Sequence, residues 1–190
     1  MKNVIRIGIF VIISAVLIVS YYFYLSHGRT KKEQAPAQQT EIEKVLTVDF
    51  STKYPQTPRE VMKWYNRILK LYHSPDVTDT QLEMLCDQAR MLMDEELLAA
   101  NPRDSYVSSI KEEAKEYKTR GKKMLKAEVA DTGDVDYKKL NGDELAYVLT
   151  NYVTSEGNDY QNVFQKYVLR KDKDGNWKIL GFERSDEDGL

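Results

Sequence analysis

"NGDELAYVLTNYVTS", Asn141–Ser155, decides how this chain is read. Asn-Gly ahead of an apolar run is the strongest short-range signal for a tight hairpin turn. Beyond it, apolar and polar residues alternate, and a period of two puts successive side chains on opposite faces of a strand. Tyr147 and Tyr152 have opposite parity, so one faces a covering layer and the other faces away.

Reading outward from this strand, "DYKKL" (136–140) supplies the other arm of its hairpin. "YQNVFQKYVLRK" (160–171) and "WKILGFER" (177–184) form a second hairpin across the turn "DKDGN". "KMLKAEVAD" (123–131) is a first strand. Upstream of Gly121 the period becomes helical. "TPRE" (57–60) combines a capping Thr, a Pro at the first helical position and a Glu that closes a capping box. Val61, Trp64/Tyr65, Ile68 and Leu71/Tyr72 then recur every three or four residues, and Ser74-Pro75 ends the helix. "TDTQ" (78–81) repeats the capping logic ahead of Leu82, Leu85/Cys86, Ala89, Leu92/Met93 and Leu97, a stripe that stops at Asn101-Pro102. A third helix is expected over Asp104–Arg120, with Tyr106, Ile110, Ala114 and Tyr117 on one side and Gly121 as its left-handed cap. Three helices followed by an antiparallel sheet predict an α+β domain over 57–184, with the helices on one sheet face.

This order resembles the nuclear transport factor 2-like superfamily, in which amino-terminal helices are wrapped by a curved antiparallel sheet that forms a cone. "FQKYVLRKDKDGNWKILGFE" (164–183) looks like the last two strands of many such domains. More narrowly, "TPREVMKWYNRILKLY" (57–72), "DEELLAANP" (94–102) and "LRKDKDGNWKILGFE" (169–183) resemble a family of membrane-anchored proteins from clostridial Gram-positive bacteria. The resemblance spans Tyr54–Arg184. It implies the cone and an anchor, and brings no assigned activity.

The anchor is also read from the residues. Val4–Leu25 is broken only by Arg6, Gly8 and two serines, and as a helix it would reach ~33 Å, enough for a hydrocarbon core of about 30 Å. It ends in Tyr21-Tyr22-Phe23-Tyr24, bulky rings that suit a membrane interface and not a small-residue cleavage site. Residues 1–28 are therefore expected to be a retained transmembrane anchor in contact with the lipid bilayer through residues 4–25. Charges flanking it nearly balance, so they do not orient it; the signal-anchor pattern favours an extracytoplasmic carboxyl-terminal domain at the plasma membrane. Residues 29–56 read as a flexible tether whose end, Ile42–Phe50, has enough apolar residues to dock as an arm or short strand. Residues 185–190 form an acidic tail.

The chain carries 28 basic and 30 acidic residues, and from Thr57 onward the balance is −5. An acidic domain is a poor match for a phosphate backbone, so no nucleic-acid partner is expected. The single cysteine, Cys86, excludes an intrachain disulfide and falls on an apolar helix stripe, where cysteine behaves as a small hydrophobe.

Catalytic members of the superfamily use acid–base groups inside the cone, an Asp or His with Tyr as donor. Here His27 sits at the membrane boundary, and His73 lies just past the first helix, where a partial positive charge suits the helix end. Glu128, between apolar neighbours in a strand, is the candidate catalytic carboxylate, with Asp94 and Glu95 late in the second helix behind it; the plainer reading of each is a solvated side chain. "DTG" (131–133) and "DKDGN" are simpler as turns. Asp131, Asp134 and Asp136 lack the closing Glu of a calcium loop. No metal and no cofactor is expected.

Ten of 13 tyrosines lie outside the anchor, an excess that suits pocket rims and interfaces. Tyr65, Tyr147, Tyr152, Tyr167 and Trp177 are the candidates for binding a ligand or partner. The expected role is a non-catalytic binding or assembly module with a protein partner or a second copy of itself. The alternative is a small-molecule isomerase, dehydratase or hydrolase working through a carboxylate and Tyr in the cone.

Overall fold

Three threonines start three helices. Thr40, Thr57 and Thr78 each accept a hydrogen bond from the N–H three residues on, while Glu43, Glu60 and Gln81 reach back to the cap's own N–H. These reciprocal bonds satisfy donors that the first helical turn leaves unpaired. They open α1 (Glu41–Leu46), α2 (Pro58–Tyr72) and α3 (Asp79–Met91). Two more helices follow, α4 (Glu95–Ala100) and α5 (Arg103–Arg120), the latter closed by Gly121 at φ 64°.

The computed structural model describes residues 40–185, which belong to a unit that begins at Thr40. The predicted anchor, the tether up to Gln39 and the tail from 186 lie outside the described residues. Among the described residues no helix is long and apolar enough to cross a membrane.

Two expectations need correction. The arm at Ile42–Phe50 docks, burying Ile42, Val45 and Phe50, but it docks through a short helix and not a strand. The second helix does not run through to Asn101. It stops at Met91 with Leu92 as a right-handed helical cap, and Met93 lies against the edge of the sheet: Ile179 N–H donates to Leu92 O and Asp94 N–H donates to Ile179 O, both at 2.8 Å. This parallel rung, with Asp94 then capping α4, satisfies backbone groups that the broken helix would strand.

The sheet has five antiparallel strands, β1 (Lys122–Val129), β2 (Asp136–Leu140), β3 (Asp143–Glu156), β4 (Asp159–Lys171) and β5 (Trp177–Ser185), in the order β1-β3-β4-β5. β3 is long enough for two neighbours on one edge: β2 pairs with its first half and β1 with its second. Register shifts at Met124/Lys126 and Val168/Leu169 insert bulges, which bend a strand and increase its twist. Ala146, Val148, Thr150, Tyr152 and Thr154 are buried on one face of β3. On that face α2 packs against β1, β3 and β5, and α5 packs against β1. Met62, Val61 and Ile68 of α2 are wholly buried, so the sheet and the helices share one apolar layer.

The β2–β3 turn needs its two residues. Asn141 and Gly142 both have positive φ, 52° and 98°, as the alternation around them predicts. A Cβ at Gly142 would meet nothing within 4 Å, so Gly142→Ala isolates the backbone term. We expect a loss of about 1 kcal/mol, read as a fall in melting temperature of ~2–4 °C. In hydrogen exchange the loss should be concentrated in β2, which pairs only with β3.

Candidate functional site

The helix-facing side of the sheet converges on a cluster of phenols. Tyr65 comes from the buried stripe of α2, Tyr152 from β3 and Tyr167 from β4; they are 8, 5 and 1% exposed. Tyr152 and Tyr167 share this face because Val148 pairs with Tyr167, and Val148 and Tyr152 have the same parity. The Tyr65 and Tyr167 rings meet edge to face at 5.8 Å between centroids. Tyr152 Oη donates to Asn66 Oδ1 at 2.8 Å, lies 2.9 Å from Tyr167 Oη, and Tyr167 Oη donates to Gln165 Oε1 at 2.8 Å. Asn66 Nδ2 is buried without a partner among the described residues. A second pair, Tyr72 and Tyr106, stands 3.3 Å apart above Cys86 and Leu85, with Tyr72 Oη donating to Leu85 O.

Burial pushes the hydroxyls of Tyr65, Tyr72, Tyr152 and Tyr167 well above the ordinary phenol range, since a phenolate there would lose its water. They are neutral donors at any physiological pH and cannot serve as bases. The Cys86 thiol is likewise pushed up to about 11 by burial, so it is a packing residue with little thiolate.

Neither Glu128 nor Asp94 hydrogen-bonds to this cluster. Glu128 lies on the opposite sheet face, paired across from Asn151, and is 53% exposed beside Lys126 at 3.3 Å. The apolar neighbours Ala127 and Val129 point the other way because the strand alternates, so the candidate base faces solvent. Asp94 departs from the plain expectation in the other direction. It is 4% exposed, accepts the Glu96 N–H as the α4 cap, and takes a two-pronged contact from Arg170 at 2.5 and 3.1 Å. It is the one buried carboxylate among the described residues, and it is committed to a structural ion pair.

The remaining candidates separate. Trp177 is buried at 7%; Tyr54 Oη donates to its carbonyl at 2.8 Å and Tyr137 meets its ring edge-on. Tyr147 alone of the five occupies the outer sheet face, half-buried, with the Lys138 ammonium 4.7 Å from its ring centroid. Four of the five aromatics are thus buried in the packed layer between helices and sheet. His73 takes its expected place as the α2 cap. Its ring stacks on Tyr117 at 3.7 Å, and Nε2 lies 3.0 Å from Glu113 Oε1. Asn66, Gln165 and Arg170 escaped the sequence reading because nothing local marks a polar residue whose partner lies on another element.

These features define an α+β domain built from helices laid over one face of an antiparallel sheet, with a tyrosine-rich interior. The chain belongs to a family described as a domain of unknown function (DUF6715), whose profile matches residues 1–182. No curated protein matches the chain. The family match runs through the apolar amino-terminal stretch as well as the domain, so the two occur together in the family's definition.

Proposed function

We propose that this chain is a membrane-anchored, extracytoplasmic binding or assembly module and not an enzyme. The observation that carries the reading is the occupied interior. Tyr65, Tyr152, Tyr167 and Met62 fill the space where a cone-shaped catalyst would keep its pocket, and the nearest sequence candidates for an acid or base lie elsewhere. The anchor reading draws on Val4–Leu25, on the interfacial rings that end it, and on a family that spans both segments. The two bulges and the helix-covered face fit a cone of the nuclear transport factor 2 type, and the sequence resemblance favours a clostridial, Gram-positive setting. With the interior packed, the outer sheet face, where Tyr147 and Glu128 lie, is the surface left for a protein partner or a second copy of the chain.

Photo-crosslinking side chains placed at Tyr147 and at Glu128, one at a time, test this in intact cells of the native organism. We expect discrete adducts heavier than the monomer in the membrane fraction. Free monomer alone from both positions would overturn the assembly role. A reporter fused after Leu190 that is active only in the cytoplasm would overturn the orientation.

A further inference from the structure

A groove of about 520 Å³ opens where α2 and its following loop meet α5 and the first residues of β1. That size is ordinary for a site holding one small molecule. Its floor is apolar: Tyr72, Pro75, Val77, Leu82, Ala114 and Tyr117. Five lysines, 111, 115, 118, 122 and 123, stand around it, and Asp79 is the one carboxylate in the wall.

This concentration of positive charge runs against the composition. The domain from Thr57 onward is net negative, yet five ammonium groups share one mouth. The fold gathers them: Lys115 and Lys118 lie one turn apart on α5, and the left-handed Gly121 reverses the chain so that Lys122 and Lys123 return beside them. Two of the five are engaged. Lys111 bonds Glu83 at 2.6 Å, and Lys122 lies 4.7 Å from the Tyr117 ring centroid. Lys115, Lys118 and Lys123 make no ion pair or ring contact among the described residues. Unpaired like charges repel, and an anion relieves them.

A second observation lies in the wall. The His73 side chain is 3% exposed, and its Nδ1 is buried without a hydrogen-bond partner among the described residues. Glu113 is an acceptor, so Nε2 carries its proton, and Nδ1 is left either as a lone pair without a donor or as an N–H without an acceptor. A buried polar atom of a groove-lining residue is therefore left without a partner among the described residues.

We propose that this groove binds a small amphipathic anion, a phosphate group carrying an apolar body. The phosphate sits among Lys115, Lys118 and Lys123, and the apolar body lies along Val77, Leu82, Ala114 and Tyr117. A phosphate suits three ammoniums better than a carboxylate does, because it offers more charge and more acceptor oxygens. The site stands apart from the assembly role and does not depend on the anchor.

The test uses the full chain, labelled with nitrogen-15 at histidine and mixed with phosphatidylcholine nanodiscs. His27 and His73 are the only imidazoles, so two sets of ring resonances report. Octyl phosphate should shift the His73 ring nitrogens saturably, binding at least about tenfold tighter than inorganic phosphate. A variant carrying K115A, K118A and K123A, all at exposed positions, should keep its fold and weaken octyl phosphate about tenfold. Phosphatidylglycerol nanodiscs that reproduce the shift unaided would place the phosphate in a lipid headgroup. A shift with octyl phosphate alone would make it a free amphiphile. No saturable shift below millimolar concentration, or full affinity in the triple variant, would overturn the site. Equal binding of inorganic phosphate would reduce it to an adventitious ion only. Failure of the chain to join the nanodiscs would count against the anchor and leave the titration valid.

Discussion

Arg170→Met should destabilise the domain by about 2–3 kcal/mol, a drop in melting temperature of roughly 5–10 °C for a domain of this size. Arg170 Nη2 and Nε hold both oxygens of Asp94, which is buried at the junction where α3 has ended and α4 begins. Methionine keeps much of the stem's apolar volume and removes the charge. Asp94 would then keep one amide donor, from Glu96, and lose the cation that offsets its desolvation. The figure lies at the lower end for breaking a buried pair, because the Arg170 side chain is 21% exposed and water can partly replace it. Asp94→Asn should cost less, about 1 kcal/mol, since Asn also caps helices and Arg170 retains Glu96 at 2.8 Å. In urea melts the double variant should lose less than the two singles added together.

The Asp94 junction also marks where sequence reading runs out. Leu82, Leu85, Ala89, Leu92/Met93 and Leu97 keep a helical period straight through the break, and nothing local contradicts it. What ends α3 is Ile179, a residue distant in the chain, whose backbone receives Leu92–Asp94 as an edge rung. Long-range pairing of this kind leaves no periodic trace. By contrast, the α2 and α3 starts, the Gly121 cap and the Asn141-Gly142 turn were legible because each is a local solution to a local shortage of partners or of allowed φ. The start of α1 carries the same Thr-x-x-Glu signal at Thr40–Glu43, yet six residues are too few to show a helical period. For the interior, parity set Tyr147 and Tyr152 on opposite faces, and the α2 stripe placed Tyr65. Alternation also set Glu128 outside once the inward residues of β1 were known to be Ala127 and Val129.

Truncating the cluster itself should produce the largest loss. Tyr167 is the bulkiest of the wholly buried side chains among the described residues, packed against Tyr65 and under Phe182, whose ring centroid is 5.2 Å away. Tyr167→Ala should cost about 3–5 kcal/mol, enough to put a domain of ordinary stability near its unfolding midpoint. Tyr167→Phe separates packing from hydrogen bonding. Two hydroxyl protons, on Tyr152 and Tyr167, serve three contacts: Asn66, the Tyr–Tyr pair and Gln165. Removing the Tyr167 proton leaves Tyr152 free to donate to Asn66, and half-buried Gln165 can turn to water, so the loss should stay below about 1 kcal/mol. Tyr152→Phe instead strips Asn66 Oδ1 of its donor in a site 4% exposed, and should cost more, about 1–3 kcal/mol. The ordering Tyr167→Ala, then Tyr152→Phe, then Tyr167→Phe in urea denaturation is what a packed interior requires. If Tyr152→Phe and Tyr167→Phe left stability untouched and abolished binding of a small molecule, the phenols would belong to a pocket, and the occupied-interior argument for a module would fall with them.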